Sequence, residues 1–166
     1  AGGGGIYSCA SYAWRSPGAG TVFVKTASST YGSLYVDSGA ETNGTKRLGA
    51  DVQLPVLGTG AVTAVEVSGS NLWVTQSATF KPAWLGAWMV LVDGAGADLG
   101  GFRVQELSGN RVLLTGAGAI AGAATFRGEY RFDAVTVRNG ARVVTPDRMT
   151  ALDFEAKSGE VWLPSK

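Results

Sequence analysis

The sequence predicts an all-β protein: right-handed β-solenoid (β-helix) rungs interrupted by a small inserted β-barrel or sandwich domain. Three observations lead there. Nearly every segment alternates apolar and polar residues with the period of two that a half-buried strand requires, and none sustains an apolar i, i+3, i+4, i+7 pattern for three turns. Glycine is frequent, at 25 residues against 5 prolines, and it punctuates the apolar segments as turns do. A short phrase is also written twice, YGSLYVDSGA at 31–40 and YRFDAVTVRNGA at 130–141, each passing from Tyr through alternating residues to Val, a polar pair and Gly-Ala. Two such phrases about a hundred residues apart read as equivalent rungs of one solenoid. Val36 and Val137 then occupy equivalent inward positions, and Gly39 and Gly140 turn equivalent corners with backbone angles that suit Gly.

The elements follow in order. TVFVKT (21–26) puts Val22 and Val24 on one face, and SLYV (33–36) does the same with Leu34 and Val36. After a stretch flanked by Pro and Gly come AVTAVEV, NLWVTQ, WMVLVD, GFRVQEL and RVLLTG, separated by the turns SGS, DGAGADLGG and SGN. Short strands at this spacing suit a sandwich or small barrel. The last section runs YRFDAVTV, ARVVT, MTALDFEA and GEVWLPS, with corners at RNG, PDR and KSG. In MTALDFEAK, alternation is expected to turn Leu152, Phe154 and Ala156 inward and Asp153, Glu155 and Lys157 to water. The expected organisation is therefore 1–56 as the first rungs, 57–127 as the insertion and 128–166 as the second set of rungs. An insertion that leaves at a corner does not break a stack.

Composition narrows the function classes. A chain of 166 residues can bury a core without metal or disulfide support. Its formal charge of +1 and lack of any Lys/Arg-rich run give no electrostatic reason to expect nucleic acid or an anionic membrane. The longest apolar stretch, AWLGAWMVLV, is broken by Gly86 and bounded by Pro82 and Asp93, far short of the roughly 18 residues of a membrane span. Cys9 is the single cysteine, so no internal disulfide forms, and it reads as a small structural thiol. A start on AGGGG without Met suggests a processed product or a piece of something longer.

From Gly18 to Val143, the phrases GAGTVFVKTASSTYGSLYVDSG, LPVLGTGAVTAVEVSGSNLWVTQSATFKPAWLGAWMVLVDG, FRVQELSGNRVLLTG and FRGEYRFDAVTVRNGARV resemble a segment that recurs in large secreted bacterial proteins. These are glycine-rich, adhesin-like surface proteins of repetitive build. The resemblance implies a β-helix interrupted by a small β domain, outside the cell or on its surface, and brings no catalytic residue with it. The opening IYSCASYAWRSPG, richer in aromatics, departs from the pattern.

Candidate chemistry is sparse. Without histidine, Ser-His and Cys-His nucleophile pairs are impossible and the commonest metal ligand is missing. Paired carboxylates remain a hydrolytic option, with Asp147, Asp153, Glu155 and Glu160 close enough in sequence to share a face. Calcium is the best metal case: Asp93 and Asp98 sit in a Gly-rich loop, and Asp37, Glu41 and Asn43 offer hard oxygen ligands, although Asp and Asn are also what turns require. Asn43–Thr45 forms a glycosylation sequon, which in a bacterial chain marks only a turn. Trp84 and Trp88 flank a loop-like LGA, where an exposed indole would stack on a sugar ring, Trp84 being the more exposed and Trp73 lying in a strand. The competing reading is that a small domain fills its core with Trp. Lys25 and Lys81 are candidates for an adhesin-type crosslink, with no spacing that selects their partners.

These readings favour a non-catalytic extracellular module that presents a surface or assembles with neighbouring modules or copies of itself through flat ends and strand edges. A carbohydrate-binding module using Trp84 and Trp88 is the alternative. A polysaccharide-acting enzyme on a β-helix comes third.

Overall fold

A computed structural model describes residues 20–38, 51–157 and 160–162. The regular structure among them is strand, apart from a single 3-10 turn at Pro82–Trp84, so the chain is all-β with mixed strand directions. It divides into two compact units. The first takes the described residues within Ala1–Leu54, Phe132–Thr145 and Ala151–Lys166, and the second is Pro55–Arg131 with Pro146–Thr150.

In the first unit, β1 (Gly20–Val24) and β2 (Ser33–Asp37) form an antiparallel hairpin in which Phe23 faces Leu34. The far side of β2 pairs in parallel with the end of β10 (Ala123–Arg138), from Ser33 opposite Ala134 to Asp37 opposite Arg138. Val36 thus lies directly across from Val137, and both are buried, at the equivalent inward positions that the repeated phrase predicts. Each end of this pairing is tied by a side chain. Asp133 accepts hydrogen bonds from the backbone N–H groups of Tyr31 and Gly32, at 3.1 and 2.9 Å, and Asn139 Nδ2 donates to Asp37 Oδ1 at 2.7 Å.

Asn139 and Gly140, at φ 55° and 72°, then turn the chain through the left-handed region that Asn and Gly tolerate best. Gly39, the other expected corner, lies outside the described residues. Beyond the turn, β11 (Arg142–Val144) runs parallel to β3 (Asp51–Gln53) on one side and β13 (Glu160–Trp162) on the other, with Val143 opposite Val52 and Val161.

β12 (Arg148–Lys157) pairs with β10, but the side chains expected inward, Leu152, Phe154 and Ala156, are exposed, and Asp153 is exposed as well. Leu152 and Phe154 are 72% and 47% exposed, while Glu155 is half-buried and accepts a 2.8 Å hydrogen bond from Arg138 Nη2. Alternation separates two sets of side chains without saying which set turns inward, and a shift of phase by one residue exchanges them.

In the second unit the strand pairings between residues 59 and 128 are all antiparallel. Its strands are β4 (Thr59–Ala61), β5 (Ala64–Ser68), β6 (Asn71–Thr75), β7 (Trp88–Asp93), β8 (Asp98–Ser108), β9 (Arg111–Leu114) and the first part of β10. They neighbour one another in the order β4-β10-β7-β8-β9-β6-β5. The two ends of that order are one continuous stretch of chain: between β4 and β5, Val62 N–H donates to Ala124 O of β10 and Thr63 N–H donates to Thr75 O of β6.

Two-residue turns at Gly69-Ser70 and Gly109-Asn110 join β5 to β6 and β8 to β9, each with Gly first at φ near +60°, the residue a II′ hairpin requires there. A register shift between Val104 and Glu106 bends β8, so that its first half serves β7 and its second half β9. Inside lie Leu72, Val74, Met89, Leu91, Val104, Val112 and Leu114, all buried, with Phe80, Trp84 and Phe126 packed together at centroid distances of 5.5–5.7 Å.

Asp147, buried in this unit, accepts the backbone N–H groups of Leu57 and Gly58 at 2.6 and 2.8 Å. Charge-assisted hydrogen bonds of this kind hold a segment that no strand ladder covers. Replacing Asp147 by Ala removes this acceptor from a buried donor at Leu57 and a half-buried one at Gly58. The expected loss, read by chemical denaturation, is about 1.5–3 kcal/mol, with Asp147→Asn losing less because an amide oxygen still accepts one bond.

Candidate functional site

The candidate site of the second unit lies on the outer face of β7, β8 and β10. Val90 is paired with Gly101 on one side and Arg127 on the other, so these three share a line across the sheet. Strand alternation then puts Arg127, Glu129 and Arg131 on this outer face, while Phe126, Gly128 and Tyr130 turn to the opposite one. Gly128 is required there, because a Cβ would overlap the Leu57 side chain.

Arg127, Glu129 and Arg131, together with Val90, Gly101, Asp98 and Arg148, line an open cleft of about 330 Å³. Asp98 and Arg127 form a fork-to-fork pair, Nη1 to Oδ1 at 2.6 Å and Nη2 to Oδ2 at 2.5 Å. The Arg127 hydrogen bond holds the Asp98 carboxyl below its usual range, and Asp98 in turn raises Arg127. Glu129 is buried, a costly place for a carboxylate unless it is compensated. It accepts from Thr150 Oγ1 at 2.7 Å and Arg131 Nη2 at 3.1 Å, and Arg148 Nε stands 4.0 Å away. The Arg131 guanidinium lies 4.5 Å from the Trp88 ring centroid and so close over Gly101 that a Cβ there would overlap it. A planar cation is thus held between an indole and bare backbone, an arrangement that Lys does not reproduce.

The aromatic expectation needs correction. Trp84 is 3% exposed, edge-on to Phe80 and Phe126, because the 3-10 turn begun by Pro82 and ended before Gly86 (φ 82°) folds it into the core. An indole enclosed by two phenyl rings cannot stack on a sugar, and the core-filling reading describes Trp84. Trp73, placed in a strand as expected, is the more exposed of the two, with Arg111 over its ring at 4.8 Å. Trp88 stays half-buried beneath Arg131.

The calcium candidates are engaged elsewhere. Asp93 Oδ1 accepts the N–H groups of Ala95 and Ala97 at 2.9 and 2.8 Å, the side-chain turn that Asp makes in loops, and Asp98 faces Arg127. Asp37 receives Asn139, while Glu41, Asn43 and the rest of the sequon lie outside the described residues, as does Cys9. Among the described residues, no group of three or more His, Cys, Asp or Glu is placed to hold a metal ion. The carboxylates from Asp147 to Glu160 do not act as one set: Asp147 is buried on two backbone amides, Asp153 is exposed, Glu155 pairs with Arg138, and the Glu160 side chain lies outside the described residues. Lys25 donates to Thr30 O at 3.2 Å, and Lys81 is exposed at the start of the 3-10 turn.

Of the charged residues that build the cleft, sequence reasoning singled out Asp98 alone, and for calcium; the arginines and Glu129 were missed. Arg127, Glu129 and Arg131 do carry a signal, three charges at every second position of FRGEYRF. Nothing in the sequence brings Arg148 or Thr150 to them. Comparison with protein-family models, curated proteins and solved structures finds no match to this chain.

Two outcomes check this account. Tyr130 donates its hydroxyl to Pro55 O, and burial, followed by the charge of Asp147, pushes its pKa up to about 12 from the ordinary 10.0. The folded state therefore keeps a proton that the unfolded chain loses, so stability is full below pH 10 and falls as pH rises toward 12. Thermal melts across that window should show a steeper decline for the wild type than for Tyr130→Phe. Trp84→Ala, which opens a cavity between Phe80 and Phe126, should cost about 3–5 kcal/mol in denaturant unfolding.

Proposed function

We propose that this chain is a non-catalytic extracellular module that joins neighbouring modules, or further copies of itself, through strand edges and apolar strand faces. The observation that carries this reading is β1. Among the described residues β2 is its one strand neighbour, and Val22, Phe23 and Val24 are 46%, 54% and 42% exposed. Such an edge invites another strand, and proteins that avoid pairing protect it with charge, proline or a bulge. The strand GTVFV has none of these. It is nevertheless held in place, since the Phe23 ring covers Gly32 and packs edge-on to Phe132 at 6.2 Å. Leu152 and Phe154 on β12 add a second exposed apolar face.

The scaffold reading is a short stack of β-solenoid rungs carrying a small barrel. In-register parallel pairing of Val36 with Val137, and of β3, β11 and β13, supports the rungs. The strand order that β4 and β5 bring back upon itself supports the barrel. Placement outside the cell rests on the resemblance to glycine-rich adhesin-like proteins.

The test is the mass of the chain in solution as a function of concentration, by size-exclusion chromatography with light scattering. The wild type should grow in mass with concentration. Val22→Lys/Val24→Lys, which puts two charges on the β1 edge and leaves Phe23 in place, should stay monomeric with an unchanged far-ultraviolet spectrum. A wild type that remains monomeric throughout would remove the assembly reading.

A further inference from the structure

We propose that the cleft on β7, β8 and β10 binds one oxyanion group, a carboxylate or a sulfate, carried on an acidic sugar. This goes beyond the assembly reading, since it concerns the second unit and none of the residues of β1.

Charge comes first. Three arginines meet two carboxylates in the cleft, and the pairing is uneven. Asp98 takes both prongs of the Arg127 fork, so that pair is internally satisfied. Glu129 is left to balance both Arg131 and Arg148, bonded to the first and 4.0 Å from the second. One positive charge is in excess, and it lies toward Arg148, whose side chain is 64% exposed. A guanidinium presents several N–H donors in a planar fork that matches a carboxylate or sulfate.

The second point is preorganisation. Arg131 cannot sweep freely, being stacked on Trp88, seated on Gly101 and hydrogen-bonded to Glu129. Glu129 is itself fixed by Thr150. An anion entering the cleft meets Arg131 and Arg127 already ordered, so the side chain left to be immobilised on binding is that of Arg148.

The size and mixed charge of the cleft select a sugar. A volume of about 330 Å³ is at the small end of ligand sites and suits one ring more than a long chain. The lining has both signs, so that hydroxyl groups can donate to carboxylate oxygens of Asp98 and Glu129 while the oxyanion meets Arg148. A sugar acid or sulfated sugar supplies donors and an anion on one ring. Nucleic acid fits poorly, because it rewards many phosphate contacts and the cleft has one unbalanced cation.

The test is isothermal titration calorimetry in the Val22→Lys/Val24→Lys background, so that association of the chain does not contribute heat. Trigalacturonate, a sulfated disaccharide and neutral maltotriose are titrated in turn. The expected result is binding of at least one anionic sugar, weakened by added salt, and no binding of maltotriose. Which anionic sugar binds identifies carboxylate or sulfate as the recognised group. Arg148→Gln should weaken binding about tenfold or more with only a small fall in melting temperature, since its side chain is 64% exposed and stands 4.0 Å from Glu129 without a hydrogen bond at that distance, and Arg148→Lys should retain part of the binding. Absence of binding by both anionic sugars, equal binding of maltotriose, or undiminished binding by Arg148→Gln would each overturn the proposal.

Discussion

The hydrogen-bond requirement of one strand, β10, organises much of this protein. A strand of 16 residues carries a donor and an acceptor at almost every position, and those that are buried must find partners. β10 finds them in β4, β7, β2 and β12. Its first part has antiparallel neighbours on both sides, with Phe126 opposite Gly60 and Leu91. Its last part has β2 in parallel, with Val137 opposite Val36. The sequence of β10 matches these surroundings: Val135 and Val137 are wholly buried in the first unit, and Gly128 gives way to Leu57 in the second.

Buried carboxylates do a second kind of work. Asp147 and Glu129 are both buried, which carries a desolvation cost that only strong partners offset. Asp147 meets two backbone N–H groups and so fixes the stretch at Leu57 and Gly58. Glu129 meets a hydroxyl and arginines, and so fixes side chains. The first is an anchor for the chain, whereas the second leaves a polar surface with Arg131 held in place. That difference separates a structural acid from one that shapes a binding cleft.

Much of the strand inventory was legible, because a period of two survives in almost every segment and Gly marks the turns at 69, 109 and 140. β3 and β4 were missed because DVQ holds one large apolar residue and TGA none, so no alternation marks them. The start of β10 was missed for a different reason: AATFRG is poor in large apolar residues, and its strand character comes from neighbours on both sides. Trp84 misled because a Pro-Ala-Trp-Leu-Gly run looks like an exposed loop, and only the packing against Phe80 and Phe126 says which way the indole turns. Arg127, Glu129 and Arg131 could have been grouped from their spacing, but the meaning of that stripe depends on Gly101, Trp88, Thr150 and Arg148, which arrive from other elements.

By itself the sequence determined what is local: all-β character, the positions of the turns, the absence of imidazole chemistry, and two related phrases with Val36 and Val137 as counterparts. These follow from alternation, from backbone angles that Gly and Asn tolerate, and from composition, none of which needs a distant partner. The tertiary structure decided which face of each strand is buried, as Leu152 and Phe154 demonstrate, and which charges meet. Those choices depend on register and on contacts between residues far apart in the chain, and a shift of one residue reverses a strand's faces while leaving its pattern intact.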